Sequence, residues 1–142
     1  NNTLVSSRTE KEYNIPTNYA SSDEGLRSPI MSSGKINEND VLKNIEKGVY
    51  LSNLHYLNWS DRIGGRITGM TRYACFWVED GEIVAPIENM RFDDTIYNIF
   101  GQNLEESTDK LHLVPNVGTY DGRNLGGTYC PGIILSSFAL TL

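Results

Sequence analysis

The chain of 142 residues carries 12 Lys+Arg against 18 Asp+Glu, a formal net charge of -6, and at about 150 residues per domain it is expected to fold as one unit. An acidic chain with a pI near 4.8 and no Lys/Arg block lacks the basic footprint that phosphate backbones and anionic lipid surfaces require, which sets aside nucleic acid and membranes as partners. No apolar run approaches the roughly 18 residues of a bilayer span, so a soluble chain is expected.

The sequence opens at Asn1 with neither an initiator Met nor a charged-then-apolar leader, as in a processed protein or an excised domain. Residues 1–34 hold seven serines and few aliphatics, and Pro16 and Pro29 interrupt regular structure. Two readings stand for this segment. It is either a disordered or cloning-related lead-in, or an irregular strap anchored by Tyr13, Ile15, Tyr19 and Leu26.

At Asn37-Glu38-Asn39-Asp40 an Asn N-cap and first-turn acids precede Val41, Leu42 and Ile45 at helical spacing, predicting a short amphipathic helix stopped by Gly48. Val49 to Leu57, rich in β-branched and aromatic residues, predicts a strand, followed by a loop over Asn58 to Gly65. Arg66 to Val78 and Glu82 to Glu88 flank Asp80-Gly81, a dipeptide suited to the positive φ values of a type I′ turn, so a β-hairpin is predicted. Arg72, Ala74, Phe76 and Val78 alternate with Tyr73, Cys75 and Trp77; apolar bulk on both faces predicts a central strand.

Asp93-Asp94 are read as the cap of a second helix running through Ile96, Ile99, Phe100 and Leu104. Leu111 to Val114 and Thr128 to Leu142 are read as strands joined by a loop containing Gly118, Gly122, Gly126 and Gly127. The expected class is α+β, a mainly antiparallel sheet, sandwich- or barrel-like, with two short helices over residues 35–142.

Motifs for chemistry are sparse. Gly64-Gly65-Arg66-Ile67-Thr68-Gly69-Met70-Thr71 approaches a phosphate-binding loop, but Met70 stands where the Lys belongs and a strand follows instead of a helix. No G-x-S-x-G elbow occurs. His55, His112, Cys75 and Cys130 match no zinc-ligand spacing, and Cys75 reads as a buried, inert thiol. The carboxylates Asp93, Asp94, Glu105 and Glu106 read as caps and solvated faces. Two widely separated cysteines suggest neither a disulfide framework nor a C-x-x-C site, and fit a reducing, cytoplasmic compartment. Trp59, Asp61, Arg62 and Arg66 are the weak candidates for a substrate-binding surface, with an Asp61–Arg62 surface ion pair as the plainer reading.

Several pieces recur in a recognisable order: Arg27 and Pro29, Gly34, Ile45-Glu46-Lys47-Gly48-Val49-Tyr50, Arg62-Ile63-Gly64-Gly65-Arg66-Ile67-Thr68-Gly69, and Phe76-Trp77-Val78-Glu79-Asp80-Gly81-Glu82-Ile83-Val84-Ala85-Pro86-Ile87. From about Arg27 onward the chain resembles the C-terminal region of the TldD/PmbA family, intracellular metallopeptidases of which some are labelled modulators of DNA gyrase. The resemblance implies zinc held by an H-E-x-x-x-H helix in a preceding half of the protein, a motif absent from this sequence, so no peptidase activity is expected from the chain alone. It also implies a third ligand, a cysteine in a glycine-rich loop near the C-terminus. Gly118-Thr119-Tyr120-Asp121-Gly122 has none, and Cys130, just before Pro131-Gly132, comes too late, which leaves Cys130 a weak metal candidate. The implied parent resembles the metal-free, PmbA-like members, companions to a catalytic subunit that encloses unfolded peptide.

The functional expectation is therefore a scaffold or substrate-enclosing domain, with no cofactor of its own and zinc in a catalytic parent or partner. Its expected partners are an unfolded peptide and a second family subunit or other protein. Exposed apolar surface further predicts dimers. The alternative is a free-standing β-rich module presenting Tyr, Trp and Arg to a protein partner.

Overall fold

A computed structural model describes residues 7–14, 29–118 and 126–141. In chain order its elements are helix α1 (Ser7–Tyr13), a 3-10 helix (Glu38–Asn44), β1 (Lys47–Asp61), β2 (Arg66–Glu79), β3 (Glu82–Pro86), β4 (Arg91–Thr95), a π-helical turn (Asn98–Gln102), β5 (Leu104–Ser107), β6 (His112–Pro115), β7 (Gly127–Cys130), β8 (Ile133–Leu135) and β9 (Leu140–Thr141). All strand pairings between these elements are antiparallel, and the helices are short, so the α+β class holds. No helix among the described residues is long and apolar enough to cross a membrane. The chain divides into two compact units: residues 1–32 with 111–131, and residues 33–110 with 132–142.

In the larger unit the main sheet runs β1-β2-β4-β9, with β3 also on β2, so β2 is central as its two apolar faces predict. Cys75 and Val78, on opposite faces of β2, are both buried. The Asp80-Gly81 hairpin forms as predicted, with φ of 50° and 80°, the left-handed pair of a type I′ turn. Its amides are held by the chain leaving the 3-10 helix: Asp80 N–H donates to Glu46 O (2.6 Å) and Gly81 N–H to Ile45 O (3.0 Å).

The predicted first helix is a 3-10 helix. Asn37 caps it as expected, its side chain accepting from Asn39 N–H at 2.9 Å. Its last turn closes by Ile45 N–H to Leu42 O, and Ile45 is already extended (φ -114°, ψ 103°) because β1 starts at Lys47. Seven residues with none buried gain too little from packing to propagate an α-helix.

β1 outruns its predicted end at Leu57 and takes in Asn58 to Asp61, leaving only Arg62 to Gly65 as turn. Three irregularities accompany this long ribbon. The β1–β2 register slips between Leu51 and Asn53, between His55 and Asn58, and between Trp59 and Asp61; at the first two, Tyr73 and Tyr56 adopt left-handed φ of 66° and 54°. Each bulge inserts a residue and sharpens the local twist, and the one at Tyr73 breaks the strict alternation assumed to run from Arg72 to Val78.

The second predicted helix forms through Ile96, Ile99 and Phe100, as residues 96–102, but is shorter at both ends than the sequence suggests. Asp93 and Asp94 belong to β4 and Leu104 to β5, leaving a short helical stretch ending in the π-helical turn, with Ile99 buried. The competing factor is Phe92, fully buried over Gly69 and against Phe138 (ring centroids 5.1 Å apart); seating it pairs Arg91–Thr95 with β2. A side chain at Gly69 would place its Cβ 2.8 Å from both the Phe92 ring and His55 O, so only glycine fits. β5 pairs with β8, and the segment at Gly34–Ile36 runs along Ser107 and Thr108, Gly34 N–H donating to Thr108 O (2.8 Å).

In the smaller unit β6 and β7 form a ribbon, as the sequence suggests for Leu111 to Val114 and Thr128 onward. Tyr129 exchanges backbone hydrogen bonds with Pro29 O (3.1 Å) and Met31 N–H (2.9 Å), so the chain around Ile30 lies parallel to β7. Helix α1 falls in a segment read as irregular; Tyr13 on it is exposed, while Ile15, Tyr19, Leu26 and Arg27 lie outside the described residues. Gly122 does so too.

Candidate functional site: the free edge of β1 and its turn

β1 pairs with β2 along one edge; among the described residues no strand pairs with its other edge. The fifteen residues of β1 thus present a long row of backbone donors and acceptors, flanked by exposed Tyr56, Leu57 and Trp59. The four weak candidates converge at one end of this ribbon. Trp59 stands opposite Ile67 and Asp61 opposite Arg66, with Arg62 on the turn between them.

Local hydrogen bonds shape that end. Asp61 Oδ1 accepts from Ile63 N–H at 3.0 Å, and Gly65, with φ 62°, donates its N–H to Arg62 O at 3.3 Å. Ile63 is thrown to the tip and is 96% exposed. The expected Asp61–Arg62 pair does not form. Arg66 takes the ion pair instead, Nη1 donating to Asp93 Oδ1 at 2.6 Å across to β4. That hydrogen bond, and then the Asp93 charge, hold the Arg66 guanidinium above its ordinary pKa.

Asp94, read from sequence as a cap, is a buried acceptor: Oδ1 takes Thr95 N–H (2.7 Å) and Asn98 Nδ2 (2.9 Å), and Oδ2 takes Ala139 N–H (3.1 Å). Burial pushes its pKa up, but the donors of Asn98, Thr95 and Ala139 with the Arg66 charge outweigh burial and leave it below the usual carboxylate value. Asp93, Asp94 and the exposed Tyr97 beside Gly65 were missed as neighbours of Arg66. Their signal was the register of Arg66 opposite Thr95, which appears only once residues 91–95 are recognised as strand.

Metal chemistry has little footing in these contacts. His55 is opposite Met70, Cys75 is buried, and among the described residues no three His, Cys, Asp or Glu side chains group to hold an ion. A catalytic zinc therefore does not fit the described residues. Cys130 is opposite His112 on the β6–β7 ribbon.

The edge, ribbon and bulges belong to a β-rich domain, and comparison with known proteins gives its family. The family model for the PmbA/TldA metallopeptidase C-terminal domain matches residues 1–142, and the chain belongs to that family. Among solved structures it is similar to TldE from Thermococcus kodakarensis, with a TM-score of 0.60 and 17% identity over 78% of this chain. The chain spans 22% of the length of that structure. No curated protein matches the sequence.

Proposed function

We propose that this domain is the substrate-enclosing scaffold of a PmbA/TldD-type peptidase assembly, taken from a metal-free companion subunit. It receives an extended, unfolded peptide and leaves bond cleavage to a catalytic subunit that holds zinc. The observation that carries this reading is the edge of β1 with which no strand among the described residues pairs, which is fifteen residues long. At about 3.4 Å per residue that edge is roughly 50 Å of backbone template. A peptide added there is held by main-chain hydrogen bonds that are indifferent to its sequence, which suits a scaffold for unfolded chains. Trp59 and the Arg62–Ile63 turn would flank one end of such a strand, and Arg66, tied to Asp93, would hold the turn's shape. The family's intracellular setting supports a cytoplasmic location, and the exposed apolar residues of β1 support association with a second family subunit.

The test is fluorescence anisotropy with a labelled unstructured peptide, its scrambled sequence, and a copy N-methylated at alternate amides. The reading expects the first two to bind alike and the third to lose binding. Equal binding of all three, or none at all, sinks it.

A further inference from the structure

Two edges of the larger unit's sheet are protected differently. β3 is five residues long, opens on Glu82, closes on Pro86, which has no N–H to offer, and leads into Glu88. Short length, charge and proline are the usual guards against a stray strand. β1 lacks them along its middle: residues 48–60 contain no Lys, Arg, Asp, Glu or Pro. The charges at its ends are already engaged, Lys47 with Glu79 (3.9 Å) and with the face of Trp77 (5.7 Å to the ring centroid), Asp61 with Ile63 N–H (3.0 Å). Register slips blunt the edge in places, yet Lys47 to Leu51 pair with β2 without a break, and further along Tyr56, Leu57 and Trp59 are 74%, 59% and 46% exposed.

A strand added to β1 sets its side chains about 4.5–5.5 Å from those of β1 on the same face. A Lys or Glu brought there finds no opposite charge along residues 48–60 and gives up water without a partner. One strand further in, β2 carries a single charge between its ends, Arg72 opposite Asn53, and that guanidinium lies over the Tyr73 ring at 5.4 Å. Aliphatic and aromatic side chains, by contrast, gain contact with Tyr56, Leu57 and Trp59. We propose, building on the reading of β1 as a peptide edge, that this edge selects uncharged segments rich in aliphatic and aromatic residues and rejects charged ones of either sign. The backbone ladder ignores the order of residues, while the flanking side chains set the composition that fits. Such segments are the ones a folded protein keeps in its core, so the edge distinguishes unfolded chain from the charged loops of a native surface.

The test is fluorescence anisotropy on the whole chain with three labelled peptides: a Val/Thr/Tyr strand carrying a Gly-Ser tail, and copies in which two central residues are Lys or Glu. The uncharged peptide binds, and both charged copies bind about tenfold more weakly or worse, at low and high salt alike. The net charge of -6 attracts the Lys copy at long range, so its loss of affinity separates desolvation from simple repulsion. Leu57→Glu, at an exposed position that folding tolerates, weakens the uncharged peptide by about tenfold, whereas Val84→Glu, equally exposed on β3, changes it by less than about twofold. Equal binding of all three peptides, a loss confined to the Glu copy that vanishes in high salt, or equal effects of the two variants would each overturn the charge selection while leaving the peptide edge standing. Binding of none of the three overturns the peptide edge itself, and the selection with it.

Discussion

Replacing Asp94 by asparagine tests whether one buried carboxylate fastens the end of β4 to the chain before β9. Asn keeps an acceptor at the position of Oδ1, where Thr95 N–H and Asn98 Nδ2 arrive, but turns a donor toward Ala139 N–H, which donates to Oδ2 at 3.1 Å. One hydrogen bond to a charged group, about 1.5–3 kcal/mol, is lost and two donors are left facing each other, so we expect a loss of about 2 kcal/mol at pH 7. For a chain of this length that corresponds to roughly 6–8 °C in melting temperature. The pH dependence has a definite sign. The folded-state pKa of Asp94 is depressed below its unfolded value, so its contribution is complete above an unfolded pKa of about 3.9 and disappears as pH falls through the lower folded value. Urea unfolding of wild type and Asp94→Asn, followed by tryptophan fluorescence, should therefore show a gap near 2 kcal/mol at neutral pH that narrows as pH falls below the ordinary carboxylate value. A gap below about 0.5 kcal/mol at pH 7, or one that is as wide in acid as at neutrality, refutes the reasoning.

Gly69→Ala should destabilise by about 1–3 kcal/mol in the same assay, because its Cβ meets the Phe92 ring and His55 O at 2.8 Å and the backbone oxygen cannot retreat. Phe92→Ala, which empties the best-buried aromatic site, should cost about 3–5 kcal/mol. Gly81→Ala, at φ 80° in the hairpin turn, should lose about 1 kcal/mol, and no change there would argue against the left-handed turn. Arg66→Ala should leave peptide affinity within a factor of about two in high salt, since a half-exposed ion pair to Asp93 is screened; a large loss at all salt concentrations would make Arg66 a direct contact.

Local chemistry decided which elements could be read without coordinates. Asp80-Gly81 announces its hairpin because few residues tolerate two successive positive φ values, and the alternation of β2 announces a central strand because both faces need cover. Asn37 announces a helix start equally well, but a cap does not say whether the turn that follows is α or 3-10; packing decides that, and no residue of this helix is buried. The start of the second helix, Asp93-Asp94, misled for a related reason, although residues 96–102 are helical as read. The apolar spacing that follows suits a helix, yet at its start a single long-range contact, Phe92 on Gly69, outweighs several local preferences. The same blindness hid the candidate site. Trp59, Asp61, Arg62 and Arg66 could be picked as a local group, but the partnership of Arg66 with Asp93 spans 27 residues and exists only through β2–β4 pairing. Bulges at Tyr56 and Tyr73 are invisible in composition because tyrosine has no preference for left-handed backbone.

The order in which the strands pair carries a consequence for synthesis. β5 finds its partner in β8, β4 finds β9, and Asp94 finds Ala139, so residues 133–141 close what residues 91–107 begin. During translation the β1–β2–β3 meander can assemble as it emerges, yet Phe92 has no Phe138 beside it until the last strands leave the ribosome. For that interval the nascent domain carries an open edge on β4 and an uncovered aromatic, which is the kind of surface that chaperones hold.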